Sequence, residues 1–252
     1  MWTCGHLLAR LAGELGFAAR EQVPAIVTGL VPNGMKPVRA ERSGLGVLVV
    51  PGFGCGDLML TLARTWLRAR GYRPAAARIG FNLGCTTELV DRLEHRAEAH
   101  VERTGARIVL LGHSRGGWLS RMLAIRRPDL VRALVTAGSP VLDPLGAHPV
   151  VLGAARVLAR LSTLGIPGLL DDDCFTGQCF HDSTAALVAP LPDSVPALAV
   201  YSRLDRIAPW ELCRDPYAEG AEVSAGHTGI PMHPDFYAAL APRLAQWAAE
   251  HL

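Results

Sequence analysis

A chain of 252 residues, half of them hydrophobic, is long enough to bury one large α/β core. Its 25 Lys+Arg against 23 Asp+Glu leave a formal net charge of +2 with no basic block, which excludes an electrostatic surface for nucleic acid or anionic membrane. Six cysteines are too few for a disulfide scaffold and show no zinc-ligand spacing with nearby histidines, so no metal site is expected.

The N-terminus lacks the basic region of a secretory signal, and no apolar run reaches the ~20 residues of a membrane span. A cytoplasmic protein is expected, with at most transient contact with a lipid interface. Residues 3–19 place Leu7, Leu8, Leu11, Leu15 and Phe17 at near-helical spacing, an amphipathic helix ahead of the main domain. A Pro- and Gly-rich loop over 31–46 follows. Residues 47–50, VLVV, are a short continuous apolar run, as in a parallel strand buried on both faces. They run into Pro51-Gly52-Phe53-Gly54-Cys55-Gly56-Asp57, a loop whose glycines let backbone amides approach a substrate oxygen. The N–H of Phe53 is the expected donor, with Gly54 beside it.

A helix over 58–70 and a strand over 72–79 lead to a second loop, Gly80-Phe81-Asn82-Leu83-Gly84-Cys85. Here Phe81 and Asn82 are candidate substrate contacts, although Asn82 also suits a turn or a brace for the first loop. A charged helix over 87–103 puts Leu89, Leu93 and Val101 inward and leaves His95 and His100 on the surface. The strand over 108–111 then enters Gly112-His113-Ser114-Arg115-Gly116-Gly117, which opens into a helix over 118–125. Strand, Gly-X-Ser-X-Gly turn and helix in that order form a nucleophile elbow, which makes Ser114 the candidate nucleophile. The N–H of Arg115, at the start of the helix, is a second candidate oxyanion donor. Arg121, Arg126, Arg127 and Arg132 read as a solvated face.

A strand over 133–136 continues the βα alternation, which implies a parallel sheet with right-handed crossovers. From 141 to 195 the rhythm breaks into helix-like stretches and an acidic turn with Cys174 and Cys179, expected as free thiols, with a disulfide as the alternative. An insertion at this point reads as a cap or lid, and its apolar residues, Leu169 and Leu170 among them, are expected to line an acyl pocket. Strands over 197–201 and 221–223 precede loops with Asp205 and His227, and residues 236–252 form a terminal helix.

Ser114, Asp205 and His227 each follow a predicted strand, in the chain order Ser, Asp, His. The chemistry needs all three: a serine hydroxyl attacks well only if a neutral imidazole takes its proton, and a carboxylate must fix the tautomer of that imidazole. His233 is the alternative base, and Asp143 or Glu211 the alternative carboxylate.

With Pro51-Gly52-Phe53-Gly54, Asn82-Leu83-Gly84, the elbow, Gly138-Ser139-Pro140, Tyr201-Ser202-Arg203-Leu204-Asp205 and Gly226-His227-Thr228-Gly229, the chain resembles the α/β-hydrolase superfamily on its lipase and esterase side. More narrowly, it is similar to a poorly characterised actinobacterial group of lipase-like hydrolases. The resemblance implies an α/β-hydrolase fold: a mostly parallel central sheet flanked by helices, with a helical cap. Its implied division is an N-terminal helix and loop (1–45), a core (46–140 and 196–252) and a cap (141–195). It also implies hydrolysis of a small-molecule carboxylic ester without a cofactor. The same residues also serve an acyltransferase or thioesterase, and a non-catalytic binding protein on this scaffold is the remaining alternative. One departure stands out: the first loop begins Pro-Gly where many lipases have His-Gly, so a side chain that braces the loop there is missing.

Overall fold

The computed structural model describes residues 44–249. The helix expected over 3–19 and the 31–43 part of the first loop lie outside the described residues.

Six strands form one all-parallel sheet in the order β2-β1-β3-β4-β5-β6. They are β1 (Gly46–Val50), β2 (Arg73–Ala76), β3 (Ile108–His113), β4 (Val131–Ala137), β5 (Ala197–Tyr201) and β6 (Glu219–Glu222). Alternation along the strands feeds two cores. Val47, Val49, Val109 and Leu111 pack on one face with α1 (Thr61–Ala69) and α7 (Pro234–Ala249), where Trp66, Phe236 and Leu240 are buried. Leu48, Val50, Ile108 and Leu110 pack on the other with α2 (Thr86–Thr104) and α3 (Arg115–Arg126). A strand buried on both faces has no polar side to show, which is why its sequence is a continuous apolar run.

The segment between β4 and β5 carries α4 (Pro149–Thr163), the single turn α5 (Asp173–Thr176) and α6 (Gln178–Val188). The stretch read as an acidic turn holds α5 and the first residues of α6. Leu187 of α6 joins the second core, whereas Ala155, Ala159 and Leu170 make a small cluster of their own against Phe53 and Phe175.

Three expectations are corrected. Strand β2 ends at Ala76, short of the predicted 79, because Arg78 takes φ 56° and turns the chain out of the sheet. His100 is buried, not on the surface: Leu89, Leu93, Ala97 and His100 share one stripe of α2, and its Nε2 meets the Arg73 carbonyl at 2.8 Å. Arg121 is not solvated either. Helix α3 is covered on nearly all sides, and Arg121 is 1% exposed in an ion pair with Asp215 at 2.6 Å.

Sheet order positions the site. After β2 the chain crosses β1 to build β3, so order reverses between β1 and β3, and in open α/β sheets ligands bind in the crevice beyond the strand ends at such a switch. The loop after β1 and the elbow after β3 both open there.

Candidate active site

Ser114 sits between β3 and α3 with φ 52° and ψ −126°, a conformation that L-residues seldom adopt and that costs on the order of 1–3 kcal/mol. The glycines around it are sterically required. A Cβ at Gly112 would run into the backbone of Gly116 and Gly117, one at Gly116 into the carbonyls of Val50 and Pro51, and one at Gly117 into the Ser139 side chain. The Ser114 N–H donates to the Ala137 carbonyl at 2.8 Å, which ties the turn to the neighbouring strand.

From Ser114 Oγ the chain of contacts is continuous: His227 Nε2 lies at 3.0 Å, and His227 Nδ1 lies 2.7 Å from Asp205 Oδ2. The other Asp205 oxygen accepts the N–H groups of Ile207 and Ala208 at 2.8 and 2.9 Å. With Nδ1–H donating to that carboxylate, Nε2 carries the lone pair that faces the serine hydroxyl. Gly138 keeps the space beside them, since a Cβ there would stand 3.3 Å from Asp205 Oδ2 and 3.4 Å from His227 Nδ1. Behind the imidazole, the buried ring of His113 packs at 4.9 Å and donates from Nε2 to the His227 carbonyl at 2.9 Å. Burial first, and the His227 ring second, pull His113 down to about 3, so it stays neutral. His233 is elsewhere: its Nδ1 accepts the Asp235 N–H at the start of α7. Asp143 is engaged in its own loop with the Leu145 N–H.

Ser114 opens into a cleft of about 760 Å³, mouth included. Phe53, Trp118, Val151, Leu152, Leu170 and Phe175 supply much of its apolar wall. Of the residues expected to touch substrate, Leu170 and Phe53 line this cleft; Leu169, Phe81, Asn82 and Gly54 do not. The physical reasons differ. Phe81 follows the Gly80 turn (φ 75°) out into solvent and is 68% exposed, whereas Asn82 is wholly buried. Gly54, also at positive φ, is exposed with nothing near its Cβ position.

The sequence profile described as the alpha/beta hydrolase family matches residues 47–250. The chain belongs to that family. Solved hydrolases share the fold at low identity. Bacillus licheniformis lipase BlEst2 in mature form has a TM-score of 0.62 at 15% identity, over 82% of this chain and 94% of that one. A soluble variant of monoglyceride lipase from Saccharomyces cerevisiae has 0.57 at 16%, over 88% and 89%. The 2-hydroxy-6-oxo-6-phenylhexa-2,4-dienoate hydrolase of Rhodococcus sp. strain RHA1 has 0.53 at 15%, over 82% and 91%. No protein of curated function matches by sequence.

Within this hydrolase, two side chains organise the loops around Ser114. Asn82, at φ 53°, donates from Nδ2 to the Pro51 carbonyl at 2.8 Å and so braces the first loop. This brace comes from a different strand end than the histidine missing at position 51. Arg115 in turn holds the second loop: Nη1 donates to the Asn82 carbonyl at 2.9 Å, and Nη2 to the Gly84 carbonyl and Thr86 Oγ1 at 2.9 and 3.0 Å. Burial lowers Arg115 to about 10, still protonated at neutral pH, and its guanidinium lies 5.9 Å over the Phe53 ring. Sequence reasoning assigned Arg115 its backbone N–H alone. A signal was there: a cation in the first turn of a helix opposes the macrodipole and needs other partners. At the cleft edge, the Sγ atoms of Cys85, Cys174 and Cys179 gather within 4.8 Å of one another.

Proposed function

We propose that this hydrolase cleaves carboxylic esters with hydrophobic acyl or alcohol parts, through a serine nucleophile and an acyl-enzyme. The observation that carries the reading is the unbroken line Asp205, His227, Ser114 ending in a largely apolar cleft. His227 Nε2 takes the Ser114 proton as Oγ attacks the ester carbonyl. The resulting imidazolium is stabilised by Asp205 and then protonates the leaving alcohol. Water, deprotonated by the same nitrogen, attacks the acyl-enzyme, releases the acid and returns the proton to Ser114.

The tetrahedral oxygen is held by the N–H groups of Phe53 and Arg115. As the first residue of α3, Arg115 has no intrahelical acceptor for its N–H, and the Phe53 N–H has no partner among the described residues. Each donor contributes about 3 kcal/mol to the transition state. Residues 141–195 act as a cap over the reaction centre, and the apolar side chains of α4 and the 164–180 stretch that face the cleft select the acyl group. No described helix is long and apolar enough to cross a membrane.

The test is a series of p-nitrophenyl esters of rising acyl length, with a fluorophosphonate probe in parallel. Wild type should hydrolyse the esters and be labelled, and Ser114→Ala should do neither. Equal labelling and turnover by Ser114→Ala would rule out the serine mechanism.

A further inference from the structure

Outside the line of groups at Ser114, one cluster has chemistry that nothing so far uses. Cys179 Sγ lies 3.6 Å from Cys85 Sγ and 3.7 Å from Cys174 Sγ. The three belong to different elements: Cys85 immediately precedes α2 of the core, Cys174 lies in α5 and Cys179 in the first turn of α6. The cap pair is held in place by side chains. Asp171 Oδ1 accepts the Cys174 N–H at 3.3 Å, and Asp173 Oδ2 accepts the Cys179 N–H at 3.2 Å.

We propose that Cys85, Cys174 and Cys179 bind a zinc ion that pins the 141–195 segment to the core. Zinc–thiolate bonds of about 2.3 Å at the tetrahedral angle place neighbouring sulfurs about 3.8 Å apart. Both separations fall within 0.2 Å of that value, and the remaining pair, Cys85 and Cys174, lies within 4.8 Å, so a shift of no more than about 1 Å lets the three sulfurs share an ion. A disulfide fits less well. It would draw two sulfurs to about 2.05 Å and leave the third without a partner. Binding displaces the three thiol protons to solvent, and the fourth position of the tetrahedron goes to water.

Charge supports the site as well. Three thiolates and Zn²⁺ carry one net negative charge, and the buried Arg115 guanidinium bonds to both residues flanking Cys85, the Gly84 carbonyl and the Thr86 hydroxyl. Among the described residues no carboxylate pairs with that guanidinium, so the zinc thiolate centre is its counter-ion. The ion therefore extends the connection that runs from Pro51 through Asn82 and Arg115 into the cap. Spacing in the sequence hides the site, because Cys85 and Cys179 are 94 residues apart.

The inference does not depend on the esterase reading, and the test uses full-length Ser114→Ala to keep the two separate. Under a non-thiol reductant, competition with a chromophoric chelator should show one zinc per chain. Cys85→Ser, Cys174→Ser and Cys179→Ser should each weaken binding at least about tenfold, and Cys55→Ser should leave it unchanged. Iodoacetamide mapping of the unsubstituted cysteines removes any dependence on variant folding: zinc should protect these three thiols and leave Cys55 alkylation as it was. Absence of stoichiometric zinc, binding that survives Cys85→Ser, or a disulfide whose reduction restores no zinc uptake would each overturn the proposal.

Discussion

The floor and the roof of the cleft are built by different means. The floor consists of strand-end loops whose positions are set by backbone: the strained Ser114, glycines with no room for a Cβ, and an Asp205 carboxylate that accepts from the His227 ring and two amides. The roof, residues 141–195, rests on the floor mainly through side chains. Ala155, Ala159 and Leu170 pack against Phe53, Leu187 reaches the second core, and backbone bonds run from the Leu142, His148 and Leu170 N–H groups to the Leu212, Ile207 and Leu83 carbonyls at 3.2, 2.8 and 2.7 Å. The roof also leaves Val157, Leu164 and Ile166 exposed. Moving a floor residue means steric overlap or a lost buried hydrogen bond, whereas a roof residue can repack at modest cost. Under the proposed function, geometry for reaction is stored where displacement is costly, and fit to the substrate where it is not.

The sharpest way to break this comparison is at the floor. His227→Ala should lower kcat/KM by at least about a thousandfold, and His233→Ala by no more than a few-fold. A reversed ranking in steady-state assays would move the base to His233.

Next in size is the brace. Asn82→Ala leaves the Pro51 carbonyl without its donor and loosens the loop that carries the Phe53 N–H, so kcat should fall about tenfold with KM little changed. A change confined to KM would instead make Asn82 a substrate contact.

At the roof the effect should depend on substrate. Each methylene taken from water contributes about 0.8 kcal/mol, or roughly fourfold in kcat/KM per carbon until the pocket fills. Leu170→Asp should flatten that rise and spare acetate esters. Leu169→Asp, outside the lining, should leave it intact. Identical profiles for the two variants would assign chain-length choice to the floor.

The smallest effect concerns pH. His113 is neutral in the folded protein down to about 3, but in the unfolded chain it takes up a proton below about 6.5. The unfolded state then binds the extra proton, so stability falls as pH drops through 6.5, by about 1 kcal/mol per unit. His113→Asn removes this contribution. Melting temperatures between pH 7.5 and 5 should fall less steeply in the variant, and parallel curves would contradict the burial argument.

Much of the floor was legible from sequence because its signals are local. Alternation and apolar runs report which strand faces are buried, and Gly112, Ser114 and Gly116 must lie close in sequence to make one turn. The order Ser114, Asp205, His227 was readable too, since each follows a strand. Their mutual distances were not, because those depend on how loops from three strand ends converge.

What the chain by itself determined, then, is the periodic and the contiguous: two-faced strands, the elbow, and a break in rhythm after β4. Tertiary structure alone decided which residues far apart in sequence meet. It turned Phe81 outward and Asn82 inward, took Arg121 and His100 from surface to interior, set the Arg115 side chain across the second loop, and brought Cys85 to Cys174 and Cys179. The physical reason is that periodicity encodes the burial of a single element against water, whereas a pairing across loops is chosen by the packing of all elements at once.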